Sequence, residues 1–316
     1  IKVNKKNFAQ KGTIAVEKTG EVFFGVSVSG GIDESGNELP IIYQPQYEKR
    51  GLPGAVYEVV AAEDIITPDG TVRNHKGDVV DTIITDENGI AMSCELYLGE
   101  YEVREVTAPN GMVLNPESRF VELVYAGQNV AVTETATSFE NERQKVEISL
   151  VKSIEQNERF DIGTNGEMKN ITFGLFSAEE IVSTSGTFIP ADGLIEIVSL
   201  NEDGTATIKT DLPYGRYYVQ EIATDSHYKL SDAKYPIIFE YVGQDTAVVK
   251  IAVNDGKAIK NDLIYGSVSG KKVDEDGNAL GGAMIGLFRT DDGEFTKENA
   301  LMTTTSAEDG SFSFEN

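Results

Sequence analysis

The sequence predicts an all-β protein built as an elongated array of tandem β-sandwich repeats. Apolar and polar residues alternate at period two in several short runs, the mark of strands with one buried face. Acidic clusters ending in glycine punctuate those runs: Asp86-Glu87-Asn88-Gly89, Asn201-Glu202-Asp203-Gly204, Asp274-Glu275-Asp276-Gly277 and Glu308-Asp309-Gly310. Matching segments then return in the same order, so internal repetition organises the chain. With 40% hydrophobic and 25% charged residues among 316, there is apolar surface for two or three separate cores.

Each repeat opens on a strand in which a lysine shares the apolar phase. In Ile14-Ala15-Val16-Glu17-Lys18 and Ile148-Ser149-Leu150-Val151-Lys152 the lysine points where Ile, Val and Leu point. Such a lysine needs a buried partner, or a strand end where it can reach water. A second element reads G-x-Y-x-V-x-E, as Gly99-Glu100-Tyr101-Glu102-Val103-Arg104-Glu105 and Gly215-Arg216-Tyr217-Tyr218-Val219-Gln220-Glu221. Tyr, Val and Glu lie on one face there, so a carboxylate also points inward. A third element runs into a glycine turn at Tyr125-Ala126-Gly127-Gln128 and Tyr241-Val242-Gly243-Gln244, then into a last strand ending near Asn141 or Asn261. Short helices fit only Ser177-Ala178-Glu179-Glu180-Ile181 and the stretch around Ala61-Ala62-Glu63-Asp64.

Spacing ties these elements into one period. Asn141 to Lys152, Asn261 to Lys272 and Asn7 to Lys18 are each 11 residues apart, so an asparagine closes one repeat just before a lysine opens the next. The expected divisions are residues 1–10 as the tail of a preceding repeat, 11–145 and 146–265 as complete domains, and 266–316 as the N-terminal part of a third. That last part carries Gly282-Ala283-Met284-Ile285-Gly286-Leu287-Phe288 and Asp309-Gly310-Ser311-Phe312-Ser313-Phe314, without a G-x-Y-x-V-x-E element. Linkers this short favour a stiff array.

Opening lysine, Gly54-Ala55-Val56-Tyr57-Glu58-Val59, G-x-Y-x-V-x-E followed by Ala108-Pro109-Asn110-Gly111, and closing Phe139-Glu140-Asn141 together resemble the CnaB (SpaA-type, collagen-adhesin B repeat) domains of Gram-positive surface adhesins and pilins. The resemblance covers nearly the whole chain and implies Ig-like, prealbumin-like sandwiches. It also implies an isopeptide bond between the lysine of the first strand and the asparagine of the last, assisted by the glutamate. Carried over by residue, that gives Lys18, Glu105 and Asn141 in the first repeat and Lys152, Glu221 and Asn261 in the second. Lys272 and Asn7 are unpaired cross-link candidates, Lys272 being preferred to Lys271 because it shares strand phase with Val268 and Gly270. The second repeat departs from the family pattern in Ala223-Thr224-Asp225-Ser226-His227-Tyr228, and in Ile259 where an aromatic usually precedes the asparagine by two.

The chemistry explains those residue types. Lysine attacks carbon only when neutral, and an exposed lysine, with a pKa near 10.4, is almost wholly protonated at neutral pH. A low-dielectric core disfavours ammonium and carboxylate alike, and sharing one proton lets both lose their charge. The glutamate is expected to hydrogen-bond the carboxamide, stabilise the developing oxyanion and move protons while ammonia leaves. Because this happens once per domain, it is self-modification, and the chain is not expected to be an enzyme in any other sense.

The resemblance implies a structural stalk or shaft segment of a cell-surface adhesin or pilus-like protein, located outside the cell at the wall, with signal and anchor beyond these residues. Its partners would be neighbouring repeats of the same chain. The alternative is a ligand-binding adhesin module that uses the first-repeat insertion from Gly20 to Leu52, replaced in the second repeat by Ser153 to Asn170, to bind a host extracellular-matrix protein, surface ligand or glycan. A net charge of −25 repels phosphate backbones and anionic lipid, which argues against nucleic acid and direct membrane binding. No metal or cofactor is expected: the acidic turns do not fit D-x-[DN]-x-[DN]-G with a twelfth-position glutamate, and His75 and His227 read as loop residues. Cys94, the single cysteine, reads as a small core residue.

Overall fold

The alternating segments form strands that pair far across the sequence. The computed structural model describes residues 7–32 and 35–315. In the first sandwich the opening strand Lys11–Ile32 runs parallel to the closing strand Val132–Asn141 and antiparallel to Glu38–Gly51. Ile90–Met92 and Leu96–Tyr97 also pair with it. The facing sheet has the order Ser118–Leu123, Gly99–Thr107, Val56–Ala61, Val79–Ile84. Between the sheets Ile14 and Val16 meet Tyr57, Val59, Tyr101 and Val103, with Phe139 closing one end. Burial of each such side chain stabilises the fold by about 1.5–3 kcal/mol.

The second sandwich repeats the plan. Lys145–Ile154 pairs in parallel with Val248–Ala252 and Ile259–Asn261, and antiparallel with Thr205–Ile208. The other sheet runs Leu194–Ser199, Thr172–Ser177, Gly215–Ala223, Lys234–Phe239. Its closing strand is interrupted, however. A 3-10 turn at Val253–Gly256 loops out between the two pieces, with Asn254 and Asp255 at φ +54° and +55°. Asn and Asp enter that left-handed region more readily than other non-glycine residues, so the sequence can carry the excursion there. Residues 266–315 form two antiparallel strand pairs, Ser267–Lys271 with Ser311–Glu315 and, between them in the chain, Met284–Leu287 with Met302–Thr305.

Two expectations are corrected. No helix forms at Ser177–Ile181 or Ala61–Asp64: Ser177 ends a strand, Ile181 begins another, and Ala61 ends Val56–Ala61. At the first site Ala178 N–H donates to Arg216 O on the neighbouring strand at 2.8 Å, so tertiary pairing takes the bond a helix would need. The short 3-10 turns lie instead at Glu158–Phe160, Glu167–Asn170 and Val253–Gly256. Cys94 is exposed rather than in the core. Its neighbour Ser93 occupies the inward position and its hydroxyl accepts from Ile14 N–H at 2.8 Å, so the next residue in the alternation faces out.

The insertion from Gly20 to Leu52 is a long hairpin, and it lies along the second sandwich. Phe23, Val26 and Tyr43 pack against that sandwich's core. Ser185 N–H donates to Phe24 O at 3.0 Å, Val26 N–H to Thr187 Oγ1 at 3.0 Å, and the Tyr47 hydroxyl to Asp211 O at 3.2 Å. Arg143, in the short connector between the sandwiches, stacks 3.4 Å from the Tyr47 ring centroid. Its guanidinium donates to Asp211 at 3.0 Å and to Glu21 of the hairpin at 3.2 Å.

Candidate functional site

Strand phase brings the same three residue types together inside each sandwich. The parallel pairing sets Lys18 opposite Phe139 and Lys152 opposite Ile259, so in both repeats the asparagine lies two residues further along the neighbouring strand. The glutamate comes from the facing sheet, in phase with Tyr101 and Val103 or with Tyr217 and Val219. The side chains of Lys18 and Glu105 are 0% exposed, and those of Lys152 and Glu221 are 0% and 1% exposed.

In the first sandwich Lys18 Nζ donates to Asn141 Oδ1 and lies 3.1 Å from Glu105 Oε1. The same Oε1 accepts from Asn141 Nδ2 at 3.0 Å and from the Tyr57 hydroxyl at 3.5 Å. Glu105 Oε2 accepts the backbone N–H of Asn115 at 2.9 Å, which fixes the carboxylate's orientation. Tyr57 stacks obliquely on Phe139, ring centroids 4.8 Å apart, and closes the site.

In the second sandwich the two carboxylate oxygens divide the work. Lys152 Nζ donates to Glu221 Oε2 at 3.0 Å and to Asn261 Oδ1 at 2.5 Å. Asn261 Nδ2 donates to Glu221 Oε1 at 2.5 Å and to Thr224 Oγ1 at 3.0 Å. Thr224 stands in the turn that departs from the family pattern. Phe173 takes the place of Tyr57, its ring centroid 5.8 Å from Lys152 Nζ.

Burial lowers the pKa of both Lys18 and Lys152, against the opposing pull of Glu105 or Glu221. Each amine is thereby moved toward its neutral, nucleophilic form. In both sites the glutamate accepts a hydrogen bond from the asparagine carboxamide, through its nitrogen.

A turn glycine positions each lysine, and the sequence disclosed it only as a turn. Lys18 N–H donates to Gly89 O at 2.7 Å and Lys152 N–H to Gly204 O at 2.8 Å. A Cβ on Gly89 or Gly204 would sit 2.2 or 2.4 Å from the lysine carbonyl, and φ is +80° or +78°, so glycine is required twice over. Lys272 has the same setting: its N–H donates to Gly310 O at 2.8 Å, and a Gly310 Cβ would lie 2.4 Å from its carbonyl. Lys272 itself is exposed, its ammonium donating to Val273 O at 3.3 Å. Asn7 is exposed ahead of the opening strand, and the structure brings neither residue to a lysine–glutamate–asparagine cluster. Of the tail expected over residues 1–10, positions 1–6 lie outside the described residues.

A family model described as SpaA, a prealbumin-like fold domain, matches residues 41–137 and again 156–257. The chain belongs to the SpaA prealbumin-like family. Both glutamates fall inside the matched residues; Asn141, Lys152 and Asn261 lie just outside them, and Lys18 lies well ahead of the first matched segment. The TIE protein of Bacillus anthracis is similar in structure over 97% of this chain and 43% of its own, at 18% identity and a TM-score of 0.59. BcpA, the major pilin subunit of Bacillus cereus, matches over 97% of this chain and 85% of its own, at 14% identity and a TM-score of 0.34. The shaft pilin SpaA of Lactobacillus rhamnosus GG matches over 81% and 98%, at 10% identity and a TM-score of 0.27. This SpaA-family chain therefore spans less than half the length of the TIE protein. No curated protein matches it.

Proposed function

We propose that this SpaA-family chain is a load-bearing segment of a cell-surface stalk or pilus-like shaft, and that its two complete repeats lock themselves with Lys18–Asn141 and Lys152–Asn261 isopeptide bonds. The observation that carries this reading is the recurrence of one buried Lys–Glu–Asn cluster at the same strand register in two sandwiches. A chance surface ion pair would not be wholly buried twice over.

In the reaction, the neutral lysine Nζ attacks the asparagine Cγ. The Nζ–Cγ bond forms, the Cγ–Nδ2 bond breaks, and ammonia leaves. Glu105 or Glu221 takes a proton from the amine and delivers it to Nδ2, the atom it already contacts. No oxidant or cofactor is needed, and atoms balance as amine plus amide giving substituted amide plus ammonia. Closing loops of 123 and 109 residues would stabilise each domain by about 5 kcal/mol on a chain-entropy estimate. Pulling force entering one end would then cross from opening to closing strand through the covalent bond, and most of each sandwich would stay outside the load path. Domain limits near residues 141–145 and 261–266 follow from the same reading.

A second reading, host-ligand binding, draws on the far end of the Gly20–Leu52 hairpin, where Ile32 is 75% and Val28 61% exposed. The near half of the hairpin is occupied by the second sandwich, which narrows that reading to the tip.

Intact mass of the purified chain, beside Lys18→Ala and Lys152→Ala, tests the cross-links. The expected result is a deficit of two ammonia molecules, falling to one in each variant. A mass equal to the sequence sum would sink the isopeptide reading.

A further inference from the structure

The junction between the sandwiches is built from a loop that both repeats possess. In the second sandwich the side chain of Gln144 holds the Tyr241-Val242-Gly243-Gln244 turn: it accepts from Val242 N–H at 3.1 Å and donates to Gly243 O at 3.1 Å and Thr246 O at 2.7 Å. The turn then meets the end of the first sandwich. Gln244 Oε1 accepts from Ala108 N–H at 2.8 Å, Gln244 O accepts from Leu114 N–H at 2.9 Å, and the Tyr241 hydroxyl donates to Met112 O at 3.2 Å.

Gln10 does for the first sandwich what Gln144 does for the second. It accepts from Ala126 N–H at 3.0 Å and donates to Gly127 O at 3.2 Å and to Val130 O. Tyr125-Ala126-Gly127-Gln128 is thus held in the same three-bond frame, yet its outward groups meet nothing comparable among the described residues. Tyr125 is 62% exposed and Gln128 is exposed, whereas their counterparts Tyr241 and Gln244 are half-buried. Phe8, in the connector position, is 88% exposed.

We propose that this end of the first sandwich is a preformed docking face for another prealbumin-like domain joined in tandem ahead of Phe8. The partner's chemistry follows from the occupied junction. It presents a strand-end loop with a free N–H for the Gln128 carboxamide, a second N–H for the Gln128 carbonyl, and a carbonyl for the Tyr125 hydroxyl. In a second copy of this chain the first-sandwich loop is taken, covered by Gln244 and Tyr241. Its second-sandwich loop, held by Asp262 and Ile264 as the first-sandwich loop is held by Glu142 and Gln144, is the rival occupant that the self-association arm of the test separates. The inference rests on the array reading of the chain, and deepens it by naming the residues that set the next joint.

The test fuses a copy of residues 8–141 directly ahead of Phe8 of the full chain, with the added copy alone isotope-labelled by ligation. Amide exchange is read at Ala108 and Leu114 of that copy, with and without Tyr125→Ala and Gln128→Ala in the acceptor sandwich. Protection in the parent fusion, lost by at least about fivefold in the double variant, is expected from the few hydrogen bonds removed. Equal exchange in both fusions would overturn the proposal, as would concentration-dependent self-association of the unfused chain that the double substitution abolishes. Intact mass of the same fusion separates this outcome from failure of the cross-link reading, because the ammonia deficit does not depend on docking. The double variant in the unfused chain should keep its melting temperature, since both side chains are exposed.

Discussion

The two buried clusters use the same three residues but hold the glutamate differently. Glu105 is anchored from outside the cluster, one oxygen tied to Asn115 N–H, so its other oxygen serves Lys18, Asn141 and Tyr57 together. Among the described residues Glu221 is held by its reaction partners alone, one oxygen on Lys152 and one on Asn261, while Thr224 takes an Asn261 amide hydrogen. The closing strands differ in parallel: Val132–Asn141 is continuous, and its counterpart is broken at Val253–Gly256 before Ile259–Asn261 resumes the register. The lesson is that the register at the lysine is the invariant, and that turns and second-layer hydrogen bonds can be exchanged around it.

The largest expected effect comes from removing either carboxylate. Glu105→Ala or Glu221→Ala should abolish its own cross-link and leave a buried lysine without its acceptor, costing roughly 5 kcal/mol or more. Mass spectrometry and thermal melting would read both. If one substitution eliminated both ammonia losses, the two sites would not be independent.

Nearly as large is the effect of Asn141→Ala or Asn261→Ala, which keeps the lysine as a free amine. Burial sets the folded pKa of that lysine below its unfolded value, so the unfolded chain binds more protons between the two. Stability of these variants should be highest above about pH 10, where unfolded lysine is neutral, and fall as pH drops through the lowered folded pKa. Urea midpoints measured along that range check the sign; a flat profile would mean the amine is not held in a desolvated site.

Arg143→Ala addresses the joint rather than the clusters. Loss of its bonds to Asp211 and Glu21 and of its stacking on Tyr47 should cost about 2 kcal/mol and loosen the angle between the sandwiches, visible in small-angle scattering with the ammonia deficit unchanged. Unaltered scattering would assign the rigidity to the Gln144 and Gln244 contacts instead.

The smallest effects sharpen the comparison of the glutamates. Thr224→Val should slow the second cross-link by about fivefold, equivalent to one hydrogen bond of about 1 kcal/mol. Tyr57→Phe copies the second site's Phe173 into the first, and its long 3.5 Å bond predicts a change below about 1 kcal/mol in refolding followed by mass. A larger loss from Tyr57→Phe than from Thr224→Val would show that the two sites rely on different second-layer contacts than their geometry indicates.

Which side chains enter the core was legible in the amino-acid order, because inward and outward positions alternate along a strand whatever it pairs with. Lys18, Glu105, Lys152 and Glu221 could therefore be placed inside from Ile14, Val16, Tyr101, Val103, Ile148, Leu150, Tyr217 and Val219 around them. What lies next to an element was set by folding, because strand pairing and turn contacts join residues distant in the chain. Gly89 and Gly204 read as ordinary turn residues until their carbonyls met a lysine N–H, and Thr224 read as a departure until its hydroxyl met Asn261. The Gly20–Leu52 insertion carried apolar residues with no assigned partner in the sequence, and folding laid Phe23, Val26 and Tyr43 on the second sandwich, where burying them in common removes apolar surface from water.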